Sequence, residues 1–514
     1  MKISAKLVAF GMAAGLSLTL QASQAAAQKS KDTIRYATTE SIKLLDPYFF
    51  THFEASPLYE TIYDTLVAYD SRSHKVVPML AKAWTEVEPG VYDIELRDDI
   101  AFSNGDKYDA DDAVYFINWM ISPEARIHNK PRYMWTKGAE KLGQYKFRLR
   151  MVKHTPKDLL DMGGYTWQEN SKVHSKLEDK GSYGRNPIGT GPYRVAQFES
   201  NKALVMVPNE KFTPTPYRQK ARVSRIEAMF IPDQDTQIAQ IMTGGVDIMR
   251  DPSPDHMAEM AKNKNLEISA FDSDNMIYLQ FDAMGRSGHK PVQDARVRRA
   301  LIMAINQDEL IKHLAAGGHA AKKLGSMCRP FMQGCESPAV LPPAYNPGEA
   351  KKLLAEAGYP NGFELELISR NPSKDAAIGL SGYWNEIGVK TNVQLLQISA
   401  LDKMRADGKL QAYIGERPYT TPDASHPMDI FFFDKRRDYW DDAQIRTWAE
   451  EGLSIFDPKK RADHYKQIFD KINTQAYMMA IHTLPSVFIH SKDVKIHDNP
   501  LVDTNTNIGD FTWK

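Results

Sequence analysis

The sequence is short of cysteine, of net charge and of long apolar runs. Only Cys328 and Cys335 occur in 514 residues. Two cysteines cannot build a disulfide scaffold, and their spacing, with no histidine cluster beside them, argues against a zinc site. Acidic and basic residues balance at 65 each. That neutrality gives no electrostatic footing for nucleic acid or for an anionic membrane surface. Past the first residues, no apolar run approaches the roughly 20 residues that span a bilayer. Internal repeats and low-complexity blocks are missing, which disfavours a structural or adhesive role. Gly-x-Ser-x-Gly and His-Glu-x-x-His are missing too, and the 14 histidines are scattered. A secreted hydrolase would need a nucleophile with its base, or paired carboxylates in a cleft. No catalytic residue, cofactor or metal site is therefore expected.

What is present begins with an export signal. Lys2 and Lys6 precede an apolar run over residues 7–20, and small residues with an Ala-x-Ala site fill 21–28. This is the layout of a secretory signal peptide, with cleavage expected after Ala27. No cysteine stands at that site to carry a lipid anchor, so a soluble protein of the bacterial periplasm is expected. About 490 residues remain, more than one core usually organises. Outside the cytoplasm Cys328 and Cys335 either pair, closing a very short loop, or stay as free thiols.

The most informative stretch is Asn186-Pro-Ile-Gly-Thr-Gly-Pro-Tyr-Arg. Gly189 and Gly191 lie between Pro187 and Pro192, a combination that predicts one sharp, defined change of direction. Extended runs at 193–198 and 203–207 follow, joined by the polar turn Glu199-Ser-Asn-Lys. The chain is read here as returning from one lobe to another, with the ligand held at the junction; a plain turn into a hairpin is the alternative. No Lys-Ser/Thr pair follows, and a strand comes next, so a phosphate loop is not expected.

Elsewhere the pattern alternates strands and helices. A strand opens at Thr33. Residues 56–69 carry Leu58, Ile62, Leu66 and Val67 at helical spacing. A strand at 91–97, an Asn-Gly turn at 104–105 and a helix capped by Asp109 or Asp111 come next. Then follow a strand at 225–231, a helix capped by Asp235 and stopped at Gly244, and a strand at 246–249, as in a right-handed crossover unit. Asp294 caps a helix whose Arg296, Arg298 and Arg299 lie largely off its apolar stripe. They read as a solvated or packing face, with an anion site as the alternative. Asn346 caps the next helix, with Pro347 in its first turn and Gly358 at its end. Asp457 opens the last helix, and terminal strands lie near 486–489 and 494–496.

Leu45-Asp-Pro, Pro78-Met-Leu-Ala-Lys-Ala-Trp, Leu96-Arg-Asp-Asp-Ile-Ala-Phe-Ser-Asn-Gly and Ala110-Asp-Asp-Ala-Val-Tyr, followed by the Gly189–Gly191 stretch, resemble the family 5 extracytoplasmic solute-binding proteins. These are the dipeptide- and oligopeptide-binding components of ABC importers. The resemblance spans nearly the whole mature chain. It implies a two-lobed α/β periplasmic binding protein (type II, cluster C-like) with an extra subdomain in the first lobe. The expected layout is a signal peptide at 1–27 and first lobe at 28–75, with the extra subdomain at 76–185. First lobe follows again at 186–285, second lobe at 286–484, and a return to the first at 485–514. It further implies a monomer that closes on a small solute, most simply a short peptide, and delivers it to inner-membrane permease subunits. Opines, sugar conjugates and other small polar solutes remain open.

Ligand contacts are then expected from loops at the lobe interface: Glu40, Tyr133, Trp135, Arg370, Asn371, and Tyr413, Glu416, Arg417, Tyr419 and Asp423 in the segment 413–423. Peptide binders of the family usually carry Gly-Trp-x-x-Asp there, with the Asp on the peptide's amine. In this chain Gly415 aligns, but Glu416 replaces the Trp and Tyr419 the Asp. An unpaired ammonium is costly to bury, so Glu416 or Asp423 is expected to replace the missing carboxylate if the ligand is a free-amine peptide.

Overall fold

A computed structural model describes residues 32–50, 55–164, 166–314, 321–418, 421–501 and 506–514. The expected signal peptide and Tyr419 lie outside the described residues.

Two mixed sheets organise the chain, and helices cover them. The first has seven strands in the spatial order Leu266–Phe271, Ser486–Ser491, Ile248–Arg250, Thr33–Thr38, Arg225–Phe230, Ala203–Pro208, Tyr193–Glu199. Its centre, Thr33–Thr38, is buried at every position and runs parallel to both neighbours. The second sheet has five strands in the order Lys390–Leu395, Glu364–Ser369, Ala412–Pro418, Asn275–Phe281, Met478–Thr483. Its faces hold separate apolar cores, one around Trp384 and Leu301, the other around Tyr465 and Phe431. The chain passes between the sheets at residues 272–274 and returns at 484–485. Two sheets joined by two short crossings make a two-lobed α/β molecule.

Inserted in the first lobe is a four-stranded antiparallel sheet, ordered Ala81–Glu88, Val91–Leu96, Lys146–Met151, Thr136–Gly143. The helix Ala110–Ile121 packs its Phe116, Ile117 and Met120 into the core over that sheet. Asp109 caps it, and Asp112 completes a capping box.

Several expectations are corrected. The apolar spacing over 56–69 does not make one helix. It ends with Ser56–Ile62 because Tyr63 turns extended, and Asp64 is held by Thr190 and Arg218. Val67–Asp70 is instead a strand of a hairpin with Lys75–Pro78. Asp233, not Asp235, caps the helix Gln234–Met242. Of the solvated and packing faces expected for the arginines, Arg298 takes the packing one: it is 2% exposed and donates to the carbonyls of Val292, Gln293, Gln475 and Ala476. It therefore ties two helices together and is not available to an anion. The first crossing precedes residue 285, because Asn275–Phe281 pairs within the second sheet.

Gly189 and Gly191 are needed for room. A Cβ at either would overlap the backbone carbonyl of Ile62, whose oxygen accepts the Gly191 N–H at 2.8 Å. The stretch thus docks on the helix Ser56–Ile62 and leads into the predicted hairpin.

Candidate ligand-binding site

Glu364–Ser369 and Ala412–Pro418 are adjacent and parallel, so their carboxyl ends emerge side by side. Loops at such ends are where open α/β sheets generally hold ligands. This brings Arg370 together with Glu416, at 3.6 Å between Nη1 and Oε1. Asn371 follows, exposed, in a single helical turn. Arg417 comes next on the strand, opposite Met276. Its Nε is shut off from solvent and has no hydrogen-bond partner among the described residues. Burial, then the charges of Arg437, Arg405 and Arg132, lower the Arg417 guanidinium to about 10. Arg132 belongs to the turn Lys130–Tyr133 of the first lobe's subdomain, so cations from both lobes converge.

The neighbouring His426 is pushed well below the usual histidine range, first by burial and then by Arg417, Arg132 and Lys157. Lys157 is also a first-lobe group. Burial opposes its charge, but Asp161, at 3.3 Å, and then Asp429 and Asp423 from the second lobe outweigh that and raise its pKa. Asp161 and Asp429 are each raised to about 6, chiefly by burial. Asp429 is nonetheless open to solvent. Arg132, Lys157, Asp161 and Asp429 sit between the recognisable motifs, in short segments with no sequence signature, and sequence reasoning did not find them.

The other predicted residues fare differently. Glu40 lies half-buried just past Thr33–Thr38, at the carboxyl end of the first sheet's central strand. Tyr133 is fully buried against Tyr48, with ring centres 5.4 Å apart. It supports the subdomain core, and Trp135 packs at the edge of that core. Tyr413 is buried between Tyr278, at 5.7 Å, and the Arg405 guanidinium, at 4.6 Å. Its side chain lies over Gly415, where any Cβ would overlap it; the glycine of the family motif is thus explained by packing. Asp423 is sealed, and both its oxygens bind Arg461, at 2.7 and 2.8 Å. It is a structural carboxylate. Cys328 and Cys335 form a disulfide. A cavity of about 360 Å³ adjoins this region at Leu159, Leu160 and Pro422 and is walled further by Asp64, Tyr69, Trp167, Arg218 and Asn507 among others; none of the predicted ligand residues lines it. No group of His, Cys, Asp and Glu able to hold a metal occurs among the described residues. No described helix is long and apolar enough to cross a membrane.

Two lobes, two crossings and a cleft lined from both sides define a clamshell binding protein. The model of the bacterial extracellular solute-binding proteins, family 5, matches residues 75–439, and the chain belongs to that family. Its members are solute-binding components of ABC importers, not enzymes, and act outside the cytoplasm. The chain is 24% identical over 422 residues to heme-binding protein A of Haemophilus influenzae, covering 76% of this chain and 75% of that one. It is 25% identical over 428 residues to the dipeptide-binding protein of Escherichia coli, covering 77% and 78%. A dipeptide-binding protein from Pseudoalteromonas sp. SM9913, solved in complex with Met-Leu, superposes with a TM-score of 0.78 at 18% identity, over 94% of this chain and all of that one.

Proposed function

We propose that the protein is a monomer of the periplasm, exported by residues 1–27, that captures short peptides between its lobes for the permease subunits of an importer. The observation that carries this reading is the sealed Arg417 Nε, which has no hydrogen-bond partner among the described residues and stands beside the Arg370–Glu416 pair under a crowding of cations from both lobes. A peptide's terminal carboxylate supplies the negative charge that such crowding calls for, and a charge-assisted pair with Arg is strong and directional. Glu416 is the carboxylate for the peptide's amine, in competition with Arg370; Asp423 is set aside because Arg461 holds both its oxygens. The ligand touches both lobes only when they meet, so its binding favours the closed form. The dipeptide-binding relative supports the ligand class.

The test is thermal unfolding of the mature protein with di- to pentapeptides, their N-acetylated and C-amidated forms, opines, oligosaccharides and haemin. A ligand at about 100 times its Kd adds about 2.7 kcal/mol. Free peptides are expected to raise the midpoint, and blocking either terminus to remove most of the gain. Arg417→Gln should weaken binding by at least about 30-fold, as for a buried charge that loses its partner. Stabilisation by opines, sugars or haemin alone would reject the peptide reading.

A further inference from the structure

The short loop closed by Cys328 and Cys335, seven positions apart, touches three parts of the molecule that move relative to one another in a clamshell protein. Toward the crossing, the Arg329 guanidinium donates to the Ser273 carbonyl at 2.6 Å and to Asp272 at 3.3 Å. Toward the cleft, the Gln333 N–H donates to the Pro422 carbonyl at 2.8 Å, and the Gln333 carbonyl accepts from Ala424 at 2.9 Å. These bonds form a short parallel bridge beside Asp423. Toward the first lobe, the Phe331 carbonyl accepts the Tyr69 hydroxyl at 2.6 Å. Tyr69 stands in the hairpin strand Val67–Asp70 of the first lobe. Phe331 is in turn fixed beneath Arg329, at 4.8 Å.

We infer that this disulfide-closed loop is a lobe latch: it presents the Phe331 carbonyl to Tyr69 across the lobe boundary, without needing a bound solute, and ties that contact to the crossing and to the cleft segment 422–424. A loop this short has little freedom once its ends are joined, so the disulfide holds the carbonyl in place without contributing much to global stability. Because the crossing, the cleft and the opposite lobe meet in one loop, a change at any of them is felt at the others. The latch does not depend on which solute the cleft takes.

Hydrogen–deuterium exchange read by mass spectrometry on the ligand-free mature protein tests this. The variants are Tyr69→Phe, which deletes one hydroxyl, and the double variant Cys328→Ser with Cys335→Ser. Tyr69→Phe should speed exchange about fivefold, the worth of one ordinary hydrogen bond, in both the hairpin 67–78 and the loop 328–335. The double variant should speed exchange in the loop, at Ala424 and in the hairpin. In both variants the distant lobe contact, where His154 stacks on Phe456 at 4.3 Å, should stay as in the wild type. Unchanged exchange in the loop of Tyr69→Phe, or faster exchange confined to the loop in the double variant, would overturn the latch. Tyr69→Phe retains the disulfide and the fold, so a misfolded cysteine variant would not mask the result.

Discussion

Two sealed carboxyl groups, Asp423 in the second lobe and Glu169 in the first, are accommodated in opposite ways. In the second, Asp423 is wholly buried and forms two bonds to Arg461, while Ser425 donates to it as well. In the first, Glu169 is just as buried, yet neither of its oxygens has a hydrogen-bond partner among the described residues. Burial, and then the charge of Asp46, push its carboxyl well above the usual range. Asp46 itself is raised to about 7 by burial, against the pull of the Tyr48 and Phe49 N–H groups. The nearby His174, its Nε2 3.9 Å from Glu169, is lowered to about 3, chiefly by burial, and gives no positive charge. One site pairs its carboxylate with an arginine; at the other, burial without a partner favours the protonated acid. Sealing an acid inside a protein requires one of these two outcomes.

The largest effect should come from breaking the paired site. Arg461→Met leaves Asp423 buried without its partner, and such a loss costs about 3–5 kcal/mol. Urea unfolding should register it as a lower midpoint at unchanged slope. A loss below about 1 kcal/mol would mean that the pair with Arg461 does not hold Asp423 in place, and the contrast between the two sites would collapse.

The protonated site predicts a pH dependence of opposite character. Glu169 and Asp46 bind protons more tightly folded than unfolded. Each contributes fully below the unfolded carboxylate range near pH 4; the Asp46 contribution is lost as pH rises through about 7, and the Glu169 contribution as pH rises through its own raised value. His174 acts the other way: held neutral when folded, it lowers stability as pH falls below about 6.5. The wild-type profile sums both, so the informative quantity is a difference. Glu169→Gln replaces a protonated acid by a neutral group of the same shape. Its unfolding midpoint minus that of the wild type should grow steadily from pH 5 to pH 8. A flat difference would show that Glu169 carries no proton to lose.

The fold was legible where local chemistry is strong and repeated. The caps Asp109, Asp294, Asn346 and Asp457 all stand at helix starts, because a side-chain acceptor before an apolar stripe has few other uses. The reading failed over 56–69, where a tertiary contact at Asp64 overrides helical spacing. At Arg298 the choice between a solvated and a packing face falls to packing, because five N–H groups suit it to knitting buried carbonyls. At the candidate site, three residues singled out from sequence, Arg370, Glu416 and Arg417, lie together at the carboxyl ends of the second sheet. The facing wall, Arg132 and Lys157, comes from an inserted subdomain whose placement no local pattern encodes. Asp423 looked like a spare carboxylate because its partner, Arg461, is remote in sequence.

The smallest effect sharpens the same comparison within the second lobe. Arg370 and Glu416 are also an acid–base pair, but their side chains keep 33% and 24% of their surface open, and 3.6 Å separates the charges. Water screens such a pair, and holding two long side chains in register offsets much of the attraction, so pairs of this kind are worth about 0–1 kcal/mol. Arg370→Gln should therefore barely move the urea midpoint, in contrast to Arg461→Met. A group that adds little to folding and borders the cleft can be spent on the ligand, so the same variant should change peptide affinity several-fold. If Arg370→Gln destabilised the protein as much as Arg461→Met, the distinction between a sealed structural carboxylate and an open binding one would fail, and Glu416 would join Asp423 as part of the frame.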